Sequence, residues 1–146
     1  MSHKLDRRWV TLVPGRVHII YGIEKVNTGS IIQSTKDYDQ ECVAFLNASD
    51  GLPVHLIDDL RGVRNVPPVM SIYNMQFWRH QRLGCYVTLG VLYHPVLRFV
   101  ATRVSGLVRM RYKDAVRLNE AYQFLIAKDP TLPALDTWDI PPDLRD

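Results

Sequence analysis

Cysteine is scarce in this chain: Cys42 and Cys85 are the only two, and no CxxC spacing occurs. That excludes the disulfide framework of a small secreted domain and the ligand spacing of a zinc ribbon or dithiol redox site. No apolar run approaches the roughly 18 residues that a membrane-spanning helix needs. The first eight residues also lack the apolar stretch of a secretory signal, so a cytoplasmic location is expected. The eight glycines form neither GxGxxG nor a phosphate-binding P-loop, and no serine sits in a GxSxG elbow. His3, His18, His55, His80 and His94 are scattered with no Cys, Asp or Glu at metal-ligand spacing. No catalytic residue, metal ligand or cofactor is therefore assigned, and internal repeats and low-complexity tracts are missing as well.

What the chain does have is enough apolar material, 47% of 146 residues, to build the core of a single domain. Its net charge of +3 hides an asymmetry. Between Arg61 and Arg117 ten Lys or Arg residues face a single acid, Asp114, so this stretch carries +9 and the remainder −6. The acids gather at Asp37, Asp39 and Glu41 and again from Asp129 to the C-terminus. Two readings stay open: an anion-attracting face on the second half of the fold, or interleaving that neutralises both signs.

Along the chain, residues 9–13 and 17–26 are β-rich and flank Pro14-Gly15-Arg16, which predicts an antiparallel hairpin at one edge of a sheet. Asn27 or Thr28 can cap a helix running to about Ser49, with Ile31, Thr35, Tyr38, Cys42 and Phe45 on one face. A buried strand follows at 54–58, then a turn, then a helix from Pro67 whose Met70, Tyr73 and Phe77 share a face. Residues 85–92 read as a second buried parallel strand. His94-Pro95 opens a helix with Leu97, Val100 and Val104 inward and Arg98 and Arg103 elsewhere. A short strand at 109–113 and a helix at about 115–128 complete the order ββαβαβαβα, the last helix burying Leu118, Ala121, Tyr122 and Leu125. The fold class is α/β: a mixed, mainly parallel sheet of about five strands with about four helices. Residues 1–8 form an N-terminal arm, 9–130 the domain, and 131–146 a Pro/Asp-rich tail. That tail cannot be a helix, yet Leu132, Leu135, Trp138 and Ile140 make it too apolar to be idle.

The candidate site is the loop after the central strand. Asp58 and Asp59 leave opposite faces of that strand, so they cannot act as a paired acid and base. One is expected to cap the turn and the other to pair with an arginine. Aromatics near the basic stretch (Tyr73, Phe77, Trp78, Tyr86, Tyr93, Phe99) could stack bases, but periodicity places Tyr73, Phe77 and Phe99 in the core, so a nucleic-acid partner is not expected.

The run Asp58-Asp59-Leu60-Arg61-Gly62-Val63-Arg64-Asn65-Val66, leading into a helix, resembles the segment around the phosphorylation loop of STAS domains. These are the family shared by anti-sigma-factor antagonists and sulfate-transporter tails, and the closer match is the SpoIIAA-like branch of small stand-alone proteins. The resemblance covers most of residues 9–130, from the opening hairpin and long helix to the final strand followed by Asn119-Glu120-Ala121-Tyr122-Gln123-Phe124-Leu125. It implies a non-enzymatic binding or regulatory domain that docks a protein partner. In antagonist-type members the helix opens with an acid and then a phosphate-accepting serine; here those positions hold Pro67 and Pro68, and Ser71 lies one turn further in. Docking without loop phosphorylation is the expectation. Asp59, Arg61, Arg64 and Pro67 form the expected partner- or anion-binding surface. Two alternatives stay open: a carrier of a small apolar or anionic, lipid-like ligand, suggested by a distant similarity of the SpoIIAA-like group to the lipid-exchange lobe of CRAL-TRIO proteins, and an enzyme with an unrecognised site near Asp59. A homodimer is left open.

Overall fold

The computed structural model describes residues 7–23, 31–63, 67–90, 99, 102–103 and 111–146. Five strands form one sheet in the order of the chain: β1 (Arg8–Val13), β2 (Val17–Tyr21), β3 (Val54–Asp59), β4 (Leu83–Leu89) and β5 (Arg111–Ala115). β1 and β2 are antiparallel and every other neighbouring pair is parallel. The hairpin closes with Arg16 N–H on the Val13 carbonyl at 2.9 Å, over Gly15 at φ +69°, a left-handed conformation that glycine adopts without strain. Three α-helices are described along their length: α1 (Ile31–Asn47), α2 (Val69–Tyr73) and α3 (Leu118–Lys128).

Parallel strands laid down in sequence by crossovers of one hand put every crossover on the same face of the sheet. α1 and α2 accordingly share one face, where Cys42, Leu46, Ile72 and Phe77 pack on Val54, Leu56 and Tyr86. The opposite face must be covered by whatever follows β5. It is covered by α3, through Leu118, Ala121, Tyr122 and Leu125 as the periodicity predicts, and by the tail. Leu132, Trp138, Ile140 and Leu144 are buried there, and Asp139 N–H reaches the Leu12 carbonyl at 2.9 Å. The tail's apolar residues are therefore part of the core. Two short 3-10 turns shape it, Leu135–Thr137 and Pro142–Leu144, the second opening on Pro142 with Pro141 as its N-cap.

Some boundaries differ from those expected. β2 ends at Tyr21, β4 spans Leu83–Leu89, and β5 runs to Ala115, two residues past the expected end. The helix expected from Pro67 is only five residues long. Asp39 on α1 accepts hydrogen bonds from Gln76 and Phe77 N–H at 2.8–2.9 Å, and the Trp78 indole takes the Ile72 carbonyl at 2.9 Å, so the backbone finds other partners where a longer helix would continue. In consequence Met70 is exposed and Ile72 is buried in its place, while Phe77 stays in the core on a 3-10 turn. Phe99, expected inside, is 55% exposed. It is helical, as are Thr102 and Arg103; the rest of the helix expected from His94-Pro95, the Asn27/Thr28 cap and the arm before Arg7 lie outside the described residues.

Ile57 on β3 is fully buried between α3 and the sheet. Ile57→Val removes one methylene from a packed site and is expected to cost about 1 kcal/mol in urea unfolding. A loss under about 0.3 kcal/mol would show that the site collapses around the gap.

Candidate docking site at the carboxyl edge of the sheet

Open parallel sheets gather their functional groups where the strands end. Here three neighbouring strand ends are unusually close. A Cβ on Gly62 would stand 2.4 Å from the Gly22 carbonyl oxygen, and one on Gly90 would stand 2.8 Å from Arg61 Cγ. Gly22 and Gly90 also have φ of +122° and +81°. Glycine at these positions lets the 3-10 turn Leu60–Gly62 wedge between the segments leaving β2 and β4.

That wedge fixes Arg61. Asp59 caps the turn, its Oδ1 accepting from Arg61 N–H at 3.1 Å and Nε at 2.9 Å, and its Oδ2 accepting from Nη2 at 2.8 Å. The carboxylate is nearly enclosed, with 10% of its side chain exposed, whereas 44% of the Arg61 side chain is in solvent. Its hydrogen bonding to Asp59 raises the guanidinium pKa, against a smaller opposing effect of burial. The bidentate pair holds one edge of the guanidinium and turns the other outward, which pre-organises it for a carboxylate or phosphate.

Asp58 points to the α1 face. One oxygen takes the Arg7 guanidinium at 2.5 Å and the other the Tyr86 hydroxyl at 3.0 Å; Arg7 also reaches the Asp59 carbonyl at 3.0 Å. Because Tyr86 gives its proton to Asp58, Tyr38 must be the donor in the 3.0 Å contact between the two tyrosines. Burial, and next the Asp58 charge, push both phenols well up, so they stay protonated donors. Asp58, Thr88 and Asp114 stand in one row across β3, β4 and β5. Thr88 donates to Asp114 at 3.2 Å and accepts from Tyr112 at 2.6 Å. Two hydroxyl chains, Tyr38 to Tyr86 and Tyr112 to Thr88, are thus anchored by the carboxylates of Asp58 and Asp114. Sequence reasoning missed this row, although its signal is there: β3, β4 and β5 each turn polar near the carboxyl end, at Asp58, Thr88 and Asp114.

Of the expected surface, the structure brings Asp59 and Arg61 together. Pro67 is half-buried and precedes α2, whose N-cap is Pro68. A five-residue helix has too short a dipole to add the positive end expected there. Arg64 lies outside the described residues. Both roles expected for the aspartates are filled, Asp59 capping the turn and Asp58 pairing with an arginine.

At the opposite edge a second polar cluster ties the tail to the sheet. His55 Nδ1 accepts from Cys85 N–H at 2.9 Å, so its proton is on Nε2, which donates to Asp129 at 2.8 Å. Asp129 also receives Arg16 Nη2 at 2.6 Å, and Thr131 N–H and Oγ1 at 3.0 and 2.5 Å. Burial works to raise the Asp129 pKa, but the hydrogen bonds from Thr131 and His55 outweigh it and hold it at about 2. Both ring nitrogens are committed and the Thr131 hydroxyl donates to Asp129, so the cluster joins the tail to the sheet as a latch. Comparisons with family models, curated proteins and solved structures returned no match to this chain.

Proposed function

We propose that this chain is a STAS-like, non-enzymatic domain that docks a protein partner at the carboxyl edge of its sheet and is not switched by phosphate on the loop. The observation that carries the reading is Arg61, pinned by Asp59 and half in solvent, beside exposed Ile23. A Cβ on Gly62 would come within 3.0 Å of Ile23 Cα, so the apolar side chain and the arginine turn are neighbours. Other large exposed apolar side chains among the described residues are Leu52, Met70 and Phe99, on connections between parallel strands, and Val116, just after β5. Such apolar positions with a fixed arginine are what a docking surface needs. The carboxylates of Asp58 and Asp59 are both committed to arginines, which speaks against either as an acid or base near the loop.

A photo-crosslinking residue placed at Ile23 tests the proposal, with one at Leu52, exposed at the opposite edge, as control. In extracts of the source cells, Ile23 is expected to capture one discrete protein and Leu52 none, with capture lost in Arg61→Ser. Equal capture from both edges, or capture indifferent to Arg61, overturns it. A companion expectation is that incubation with extract and ATP leaves residues 67–72 without phosphate; stoichiometric labelling of Ser71 would restore the switch.

A further inference from the structure

We propose that residues 132–146 form a strap that acid releases from the sheet as a unit, with His55 at its root as the trigger. α3 lies against β4 and β5. The tail fills the other half of that face, packing in one core with Leu12, Val17 and Ile19. Many of its own hydrogen bonds close within it, in the two 3-10 turns and from Trp138 Nε1 to the Pro133 carbonyl at 3.0 Å. Among the described residues, three tie it to the sheet and α3. Asp139 N–H reaches the Leu12 carbonyl at 2.9 Å, the Tyr122 hydroxyl the Leu144 carbonyl at 2.7 Å, and Asn119 N–H the Asp146 carboxylate at 2.6 Å. A segment held by side-chain packing and so few outward bonds opens at a lower cost than the strands beneath it.

The root of the strap is a closed polar cluster with no room for a second proton. His55 is 2% exposed and fixed at both nitrogens, by Cys85 N–H and by Asp129. Its ring fits only because residue 84 is glycine: a Cβ there would stand 2.5 Å from Cε1 and 2.7 Å from Nδ1. A proton on Nδ1 would therefore confront the Cys85 N–H with no space to turn away. Of the charges around the ring, Asp129 favours that proton, whereas Arg16 from the hairpin turn and Arg111 from β5 oppose it, and burial opposes it most. Cys85, its thiol pushed up to about 11, stays neutral, and Lys128 at the end of α3 acts on that thiol. The ring takes its proton where it meets water, and it reaches water by parting from Asp129, where the tail begins. The closed-state pKa is thus below 6.5, so the strap holds above that value and opening gains as pH falls beneath it. His18 stacks on Phe45 on the opposite face, so its titration bears on global unfolding and leaves the strap alone.

Native-state amide exchange on the full chain tests this, each rate being divided by its intrinsic value. Between pH 7 and pH 5 the protection of Asp139 N–H is expected to fall about tenfold, the effect of one proton taken up over one pH unit. Ile57 and Val87 in the sheet should stay better protected than Asp139 throughout. His55→Gln keeps a donor for Asp129 and an acceptor for Cys85 N–H without titrating, and should hold the Asp139 protection constant within about twofold. The parent's two free thiols give a reading that needs no variant. Cys85 is buried beside His55 on the strap's face and Cys42 on the α1 face. Dithiodipyridine should label Cys85 about tenfold faster relative to Cys42 at pH 5 than at pH 7. Asp139 protected as well as Ile57 at pH 5, the same decline in His55→Gln, or a labelling ratio indifferent to pH each overturns the strap. None of these readings depends on the docking partner.

Discussion

Replacing Asp58 by Ala is expected to destabilise the fold by about 3–5 kcal/mol, because it strands a buried positive charge. The Arg7 side chain is 9% exposed and the Asp58 side chain 7%. Burial lowers the guanidinium pKa, and the Asp58 charge with its hydrogen bond more than restores it, so the pair is mutually dependent. Without the carboxylate, the Tyr86 hydroxyl also loses its acceptor, and Tyr38 behind it loses its order. The network is already incompletely satisfied, since Arg7 Nε is buried with no hydrogen-bond partner among the described residues. Removing it as a whole should therefore be far milder than breaking it at one point. Urea unfolding of Asp58→Ala, Arg7→Met and the double variant checks this: the double variant is expected to recover at least half of the loss of Asp58→Ala. Additive losses, or an Asp58→Ala cost under about 1 kcal/mol, would mean that water reaches the guanidinium and the pair is a surface one.

Asp58 also shows how far the sequence could be read. That one aspartate would cap the turn and its neighbour would pair with an arginine follows from their alternation on a strand that opens into a glycine-bearing loop. Which arginine does not follow: Arg7 lies 51 residues away, and no local pattern links them. The same division runs through the molecule. Leu118, Ala121, Tyr122 and Leu125 face the core as their spacing requires, and so do Thr35 and Cys42. Met70 fails the same rule because Asp39, on another helix, caps the backbone at Gln76 and Phe77 and ends the period early. The tail's role was hinted at by its tryptophan and leucines but depended on topology. Only when all crossovers fall on one face does the other need a cover. The polar row of Asp58, Thr88 and Asp114 required the register of three strands, which no single stretch of chain contains. Arg61 was legible as a loop cation, whereas its fixed orientation needed the sheet to bring Gly90 against it and Gly22 against the neighbouring Gly62.

Acidification is expected to weaken the fold through its buried histidines. His18 is 4% exposed, stacked on Phe45 at 3.9 Å between ring centres, with Thr11 Oγ1 2.9 Å from Nδ1. Burial lowers its pKa from 6.5 to about 4. Between those values the unfolded chain takes a proton that the folded one refuses, so stability falls as pH falls. The full interval amounts to at most about 3 kcal/mol, present above pH 6.5 and lost by about pH 4. His55 adds to this with the same sign. Its pKa is lowered by burial, and a second proton on Nδ1 would face the Cys85 N–H that now donates to it. Asp129, held at about 2, contributes only in stronger acid, as pH drops below the usual carboxylate range. Urea unfolding from pH 7 to 4.5 should therefore show a steady decline in the parent. His18→Phe keeps the ring stack and removes the titration, so its decline should be shallower by about 2 kcal/mol over that range. His55→Gln, which retains a donor for Asp129, should flatten the curve further. Parallel curves for the parent and His18→Phe would show that His18 gains its proton without leaving its place against Phe45.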